Sequence, residues 1–257
     1  MHIHTRQGTF WVWVLLGFVA LLFFASCTTV PIDASETDAA MTVTGPGTKT
    51  NTETPILTED DRSVRLRAAT GDWKTNWNRH TIQYDELLFG GPPRDGIPSI
   101  DAPKFISPAE AEAWLADNEP VIALEIDGDA RAYPLQILIW HEIVNDVVGD
   151  VPVIVTFCPL CNATIVFDRR LDGTIYEFGA SGLLRNSDLV MYDRTTESLW
   201  QQFTGEGIVG DLAGAQLTFL PSSIVSFADF RAAYPGGVVL SRETGYGRTY
   251  GSNPYPG

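Results

Sequence analysis

Cysteine is scarce in this chain. There are three in 257 residues, and one of them, Cys27, lies in the N-terminal segment. The remainder is a single pair, Cys158 and Cys161, which can form at most one disulfide. A metal held there would need further ligands of other residue types. Histidine is equally sparse: His2 and His4 precede the first apolar run, and only His80 and His141 follow it. Basic residues are outnumbered, 17 against 32 acids. That balance argues against nucleic acid as a partner and against docking on anionic lipid through a basic patch. No Gly-x-Ser-x-Gly elbow and no His-Glu-x-x-His motif occurs, so neither a serine hydrolase of that type nor a zinc protease is indicated.

The chain opens "MHIHTRQGTFWVWVLLGFVALLFFASCTTV". Arg6 precedes an apolar run from Phe10 to Phe24, followed by the small residues Ala25 and Ser26 and then Cys27. A short positive region, an apolar core and a small-residue cleavage site make a secretory signal. The cysteine directly after the small residues makes it a lipoprotein signal, with Cys27 acylated and becoming the new N-terminus. A membrane anchor and ordinary secretion are the alternatives, although 15 apolar residues fall short of the ~20 a helical span needs. All three readings place the body outside the cytoplasm, in the cell envelope, with the membrane as partner through the lipid. Loss of residues 1–26 removes Arg6 and no acid, leaving 16 basic residues against 32 acidic. Residues 27–69, rich in Thr, Asp, Glu, Pro and Gly, are expected to form a disordered tether. Residues 70–257 are expected to form a single globular domain.

Its first part, with Gly-Gly-Pro-Pro and Asp-Gly-Ile-Pro, predicts turns and extended chain that Trp73, Trp77 and Tyr84 pack onto the core. "SPAEAEAWLADN" predicts a helix capped by Ser107, with Pro108 at its first position and Glu110 three after the cap. "PVIALEIDGDARAYPLQIL" predicts a hairpin turning at Asp127-Gly128-Asp129. The apolar spacing of Leu138, Ile139, Ile143 and Val147 predicts a helix over 135–147, stopped by Gly149. "VPVIVTF" is β-branched and continuous, hence a buried strand. Strands joined by turns follow, one at Asp172-Gly173, then a short helix at Phe227–Ala233 and a last strand. Trp200 is expected in the core. The fold class is α+β, mainly β, a strand-rich single domain with a few short helices. The absence of βαβ alternation and the β-branched "NATIVFDRR" after Cys161 exclude a thioredoxin-like arrangement.

Several strings then match one family together: "GGPPRDGIPSIDAPKF", "EIDGDARAYPLQILIWHEIVNDVVGDVPVIVTFCPLC", "FGASGLLRNSDLVMYDRTTESLWQQFTGEGIVGDLAG" and "YGSNPYPG". They resemble the bacterial and archaeal family called domain of unknown function 3179, over most of residues 80–257. The resemblance brings no established activity. Members of that family continue past "NPY" with further strands, so the resemblance implies a C-terminus cut short at Gly257.

Three chemistries remain open for the Cys-x-x-Cys. It is a thiol-redox pair, a metal site or a structural disulfide. A metal, zinc or copper by the softness of two thiolates and an imidazole, would draw on His141, with Glu142, Asp146 or Met191 as fourth ligand. A disulfide closing so short a loop constrains the unfolded chain little and stabilises modestly. In "GASGLLRNSD", Gly179, Ser181 and Gly182 offer close backbone approach, and Arg185, Asn186, Ser187 and Asp188 could line a pocket; a capped turn with salt bridges is the competing reading. Two function classes follow. One is a metal or redox protein centred on Cys158, Cys161 and His141. The other is a non-catalytic envelope lipoprotein that binds a ligand or partner and carries a structural bridge.

Overall fold

Strand Val151–Cys158 is buried along almost its whole length, and its two faces serve two different cores. Side chains alternate across a strand. Val153, Val155 and Phe157 enter one cluster with Ile122, Leu124 and Tyr133. Ile154 and Cys158 enter another with Phe178, Met191 and Trp200. A strand covered on both faces has no polar side to show, which is why its sequence reads as an unbroken β-branched run. Truncating a residue such as Ile154 to alanine is expected to cost ~2–5 kcal/mol.

The computed structural model describes residues 59–255. Val151–Cys158 belongs to a middle sheet with Ile143–Val148, Ala163–Asp168 and Thr218–Leu220. One outer sheet holds Leu87–Phe89, Phe178–Arg185, Asp188–Asp193, Leu199–Gln201 and Gly207–Val209, in that order. The other holds Ser223–Ser226, Pro120–Ile126, Asp129–Pro134, Val238–Leu240 and Phe105–Ile106. Helix Phe227–Ala233 covers the far face of this second sheet through Phe227 and Phe230. Leu66, Trp73 and Ile82, with the half-buried Trp77 and Tyr84, cover the far face of the first. The mainly β, α+β architecture expected from the sequence is therefore present, as is the central position of Trp200. Among the described residues no helix is long and apolar enough to cross a membrane.

Several local expectations are met. Ser107 caps a helix with a complete capping box to Glu110, although that helix is only Pro108–Ala111. The hairpin at Asp127-Gly128 joins Pro120–Ile126 to Asp129–Pro134, both turn residues having positive φ. Two expectations are corrected. Residues 59–69, read as tether, belong to helix Glu59–Thr70. Arg67 stands in its last turn, as the helix dipole favours, and Leu66 is buried. Residues 27–58 of the proposed tether, with the signal segment and Cys27, lie outside the described residues.

The second correction concerns 135–147. The helix there is one turn, Leu135–Leu138. The chain then passes through Glu142 at φ +59° into strand Ile143–Val148. Gly149 and Asp150 both have positive φ and join this strand to Val151–Cys158, pairing Val148 with Val151. Gly149 is thus a hairpin turn residue and not a helix stop, in the geometry that two-residue hairpins require. Ile143, Val144, Val147 and Val148 are β-branched and gain a complete ladder against the central strand, which outweighs their helical spacing.

Candidate metal centre

Two hairpins converge to build the site. The first joins Val151–Cys158 to Ala163–Asp168, with Cys158 paired to Ala163. Cys158 is the last strand residue, and Cys161 stands in the loop. Asn162 closes that loop at φ +49°, a conformation Asn tolerates better than most residues. The second hairpin joins Phe178–Arg185 to Asp188–Asp193 through Asn186 and Ser187, both at positive φ. This is the primed turn expected of a two-residue connection, and it delivers Asp188 to the start of its strand.

The side of the central strand that carries Cys158 faces the sheet that carries Asp188. One ligand atom from each of Cys158, Cys161 and Asp188 lies within 4.8 Å of the others. Cys161 Sγ is 3.4 Å from Asp188 Oδ1. Both thiols are free; Cys158 is buried and Cys161 exposed. The other carboxylate oxygen of Asp188 is fixed from behind: Oδ2 accepts from Phe203 N at 2.9 Å and from Gln201 Nε2. Gln201 Oε1 accepts in turn from Arg185 at 3.2 Å, and Arg185 pairs with Glu86 at 2.7 Å. Asp188 therefore presents Oδ1 to the thiols from a braced position.

The electrostatics favour protons on sulfur. Burial, then the Cys158 thiol and the Asp188 carboxylate, push the Cys161 thiol up to about 12. Burial also raises Cys158, partly offset by hydrogen bonds from Cys161 and from the Leu189 backbone. Two thiols and a carboxylate at one point repel one another once ionised, unless a cation joins them.

Of the other residues singled out from the sequence, His141 lies outside this group. Its Nδ1 donates to the Pro98 carbonyl at 2.7 Å, and Nε2 accepts from the Tyr250 hydroxyl at 2.7 Å. Burial holds its pKa below the ordinary value. Asp146 is committed to Arg131 at 2.7 Å and to the Tyr133 hydroxyl at 2.6 Å. Met191 packs in the same apolar cluster as Cys158. Arg185 serves Glu86 and Gln201, while Asn186 and Ser187 form the turn. Ser181 is buried with its hydroxyl bonded to the Val190 carbonyl. Gly182 does admit a close backbone approach, but the backbone is the chain's own: a Cβ there would meet the Pro92 carbonyl at 2.0 Å. Glu142 is buried and does not join the group.

Sequence reasoning placed Asp188 in a possible pocket and missed it as a partner of the thiols. It also missed Gln201, which braces Asp188, and Tyr255, whose hydroxyl donates to Glu142 Oε1 at 2.9 Å. Asn186-Ser187 between two alternating runs was the available signal, since a tight turn there puts Asp188 at a strand end. Comparison with curated proteins, and with solved structures, gives no match. A family model, "Protein of unknown function (DUF3179)", matches residues 94–257, a span that contains all three members of the thiol–carboxylate group. The chain belongs to the DUF3179 family.

Proposed function

We propose that this is a lipid-anchored, extracytoplasmic protein whose centre binds one zinc or copper ion through Cys158, Cys161 and Asp188. The observation that carries the reading is the convergence of three ligand atoms within 4.8 Å on two hairpins, with Asp188 braced from behind. Metal–sulfur distances of ~2.3 Å and metal–oxygen distances of ~2.0–2.2 Å place the donors of a tetrahedral site within such a separation. Three protein donors leave a fourth position for water or another ligand. A divalent cation would also reverse the local electrostatics, replacing the two thiol protons and neutralising the carboxylate.

Thiol redox chemistry is less well supported. An attacking thiol must ionise, and the exposed member of the pair, Cys161, is pushed up to about 12. A structural bridge would leave the brace behind Asp188 without a purpose. The test is metal analysis of protein purified under reducing, anaerobic conditions, beside a Cys158→Ser/Cys161→Ser variant. The expected result is one zinc or copper per chain, lost in the variant. Reduced protein that takes up less than stoichiometric metal, with the cysteines found as an inert disulfide, would overturn the reading in favour of a structural bridge.

A further inference from the structure

Beside the thiol group lies a buried acid that the metal site does not use. Glu142 is 6 % exposed, and its backbone holds the left-handed conformation at φ +59° that non-glycine residues avoid. None of the described ion pairs includes it. Its side chain has one hydrogen-bond partner, the Tyr255 hydroxyl at 2.9 Å. A carboxyl kept for structural reasons is ordinarily paired or bonded several times when buried. Burial pushes this one up to about 7, near neutrality, where an acid–base group is most effective.

The surroundings point the same way. Glu142 and Tyr255 are the titratable residues on the wall of a cleft of about 60 Å³, otherwise lined by Gly, Pro, Ala, Leu and Ile. Leu160 and Leu189 are among those walls. The first stands between the two cysteines and the second follows Asp188, so the acid shares this cleft with the chain neighbours of the thiol centre. Burial first, then the Glu142 carboxylate and lastly Cys158, raise the Tyr255 hydroxyl. His141 turns away toward Pro98 and Tyr250. Arg248 shares with Tyr255 a second hollow of about 220 Å³, lined also by Trp140 and Pro254. The inner cleft has room for water and little else.

We propose that Glu142 is an acid–base residue for a water held at the fourth position of the centre, so that the site activates water and does not merely store a metal. The proposal rests on the metal reading above. In the step, one O–H bond of that water breaks, the electron pair stays on oxygen and the proton passes to the Glu142 carboxylate. Tyr255 is a positioning residue, donating to Oε1 and leaving Oε2 for the proton. A hydroxide held by a metal at neutral pH is a nucleophile, and the reaction class that follows is hydrolysis or hydration of a small electrophile.

The experiment uses the full chain in detergent, loaded with Co²⁺ and followed by visible absorption from pH 5 to 9. Wild type, Glu142→Gln and Tyr255→Phe are compared. Sulfur-to-cobalt charge-transfer bands of equal intensity report that all three fold and bind. The ligand-field bands are expected to titrate in two steps in wild type, for the coupled water and acid, and in one step in Glu142→Gln. Loss of the Tyr255 hydrogen bond, which lowers the acid's pKa, is expected to move the Glu142 step to higher pH in Tyr255→Phe. Superimposable titrations of wild type and Glu142→Gln would overturn the role of Glu142 and leave the metal site standing. Missing charge-transfer bands in all three would overturn the metal site itself, and with it the proposal.

Discussion

Replacing Asp188 by asparagine separates two properties that usually move together, thiolate availability and metal affinity. The Asp188 carboxylate accepts from Cys161 and sits in its field, and both effects raise that thiol, together with burial and Cys158, up to about 12. At pH 8 a thiol at that value is ionised to a fraction of about 10⁻⁴. Removing one neighbouring negative charge is expected to lower it by ~1 unit, the small end of the range for adjacent charges. The thiolate fraction then rises ~10-fold, and labelling by an excess of a small maleimide should accelerate by up to that factor. Exposure of Cys161 ensures that ionisation, not access, sets the rate. The same substitution removes an anionic ligand and is expected to weaken zinc binding by at least ~10–100-fold, the loss seen even for outer-shell partners of a metal site. The assay is stopped labelling with mass analysis of apo protein, paired with competition against a zinc indicator. Unchanged or slower labelling would refute the placement of Asp188 in the field of Cys161. Unchanged zinc affinity together with faster labelling would refute its role as a ligand.

Other outcomes follow from the same geometry. Glu142 has its folded pKa at about 7 against an ordinary 4.5. A raised acid contributes stability that is complete below pH 4.5 and is lost as pH rises through 7, a difference of about 3 kcal/mol at ~1.4 kcal/mol per unit. Glu142→Gln should therefore melt at a higher temperature than wild type at pH 8 and show less decline between pH 5 and 7, by calorimetry of the apo forms. A variant no more stable at pH 8 would mean the carboxyl is better solvated than its burial indicates. His141→Gln should retain full zinc stoichiometry by metal analysis, because both ring nitrogens are committed to Pro98 and Tyr250; loss of metal in a folded variant would return His141 to the ligand set. Cys27→Ala, expressed in a bacterium, should leave the membrane pellet as a soluble or unprocessed form, and membrane retention of correctly processed variant would refute the lipid anchor.

Legibility from sequence divides along the range of the interactions involved. Asp127-Gly128, Asp172-Gly173 and the Ser107 capping box are local devices, and each stands where the sequence places it. The unbroken apolar run 151–157 announced a strand buried on both faces, and the three-layer arrangement follows from that. The misreading of 135–147 has a physical cause. Leu138, Ile139, Ile143 and Val147 fit a helical stripe, but Glu142 breaks the register by turning left-handed, and the Gly149-Asp150 turn converts the second half into a hairpin arm. A Gly-Asp pair between two β-branched runs carried that information, and the helical count overrode it.

The site shows a different limit. Imidazole is a common metal ligand and "WHEIVND" precedes the cysteines closely in sequence, which is what points to His141. Nearness along the chain does not decide which face of which sheet a side chain occupies. Cys158 alternates with Phe157, and that parity turns it toward the outer sheet holding Asp188, 30 residues further on, while His141 is held by Pro98 and the C-terminal tyrosines. The Asn186-Ser187 turn puts Asp188 at a strand end, but that this strand packs on the Cys158 face is a tertiary fact without a local signature. Glu142 is the intermediate case. Its position in the short "HEIVND" string drew attention as a ligand, but the features that argue for an acid–base role are a positive φ, a single hydrogen bond and an apolar wall shared with the cysteine loop. Each of them arises from the turn at residue 142 being folded against Tyr255, 113 positions away.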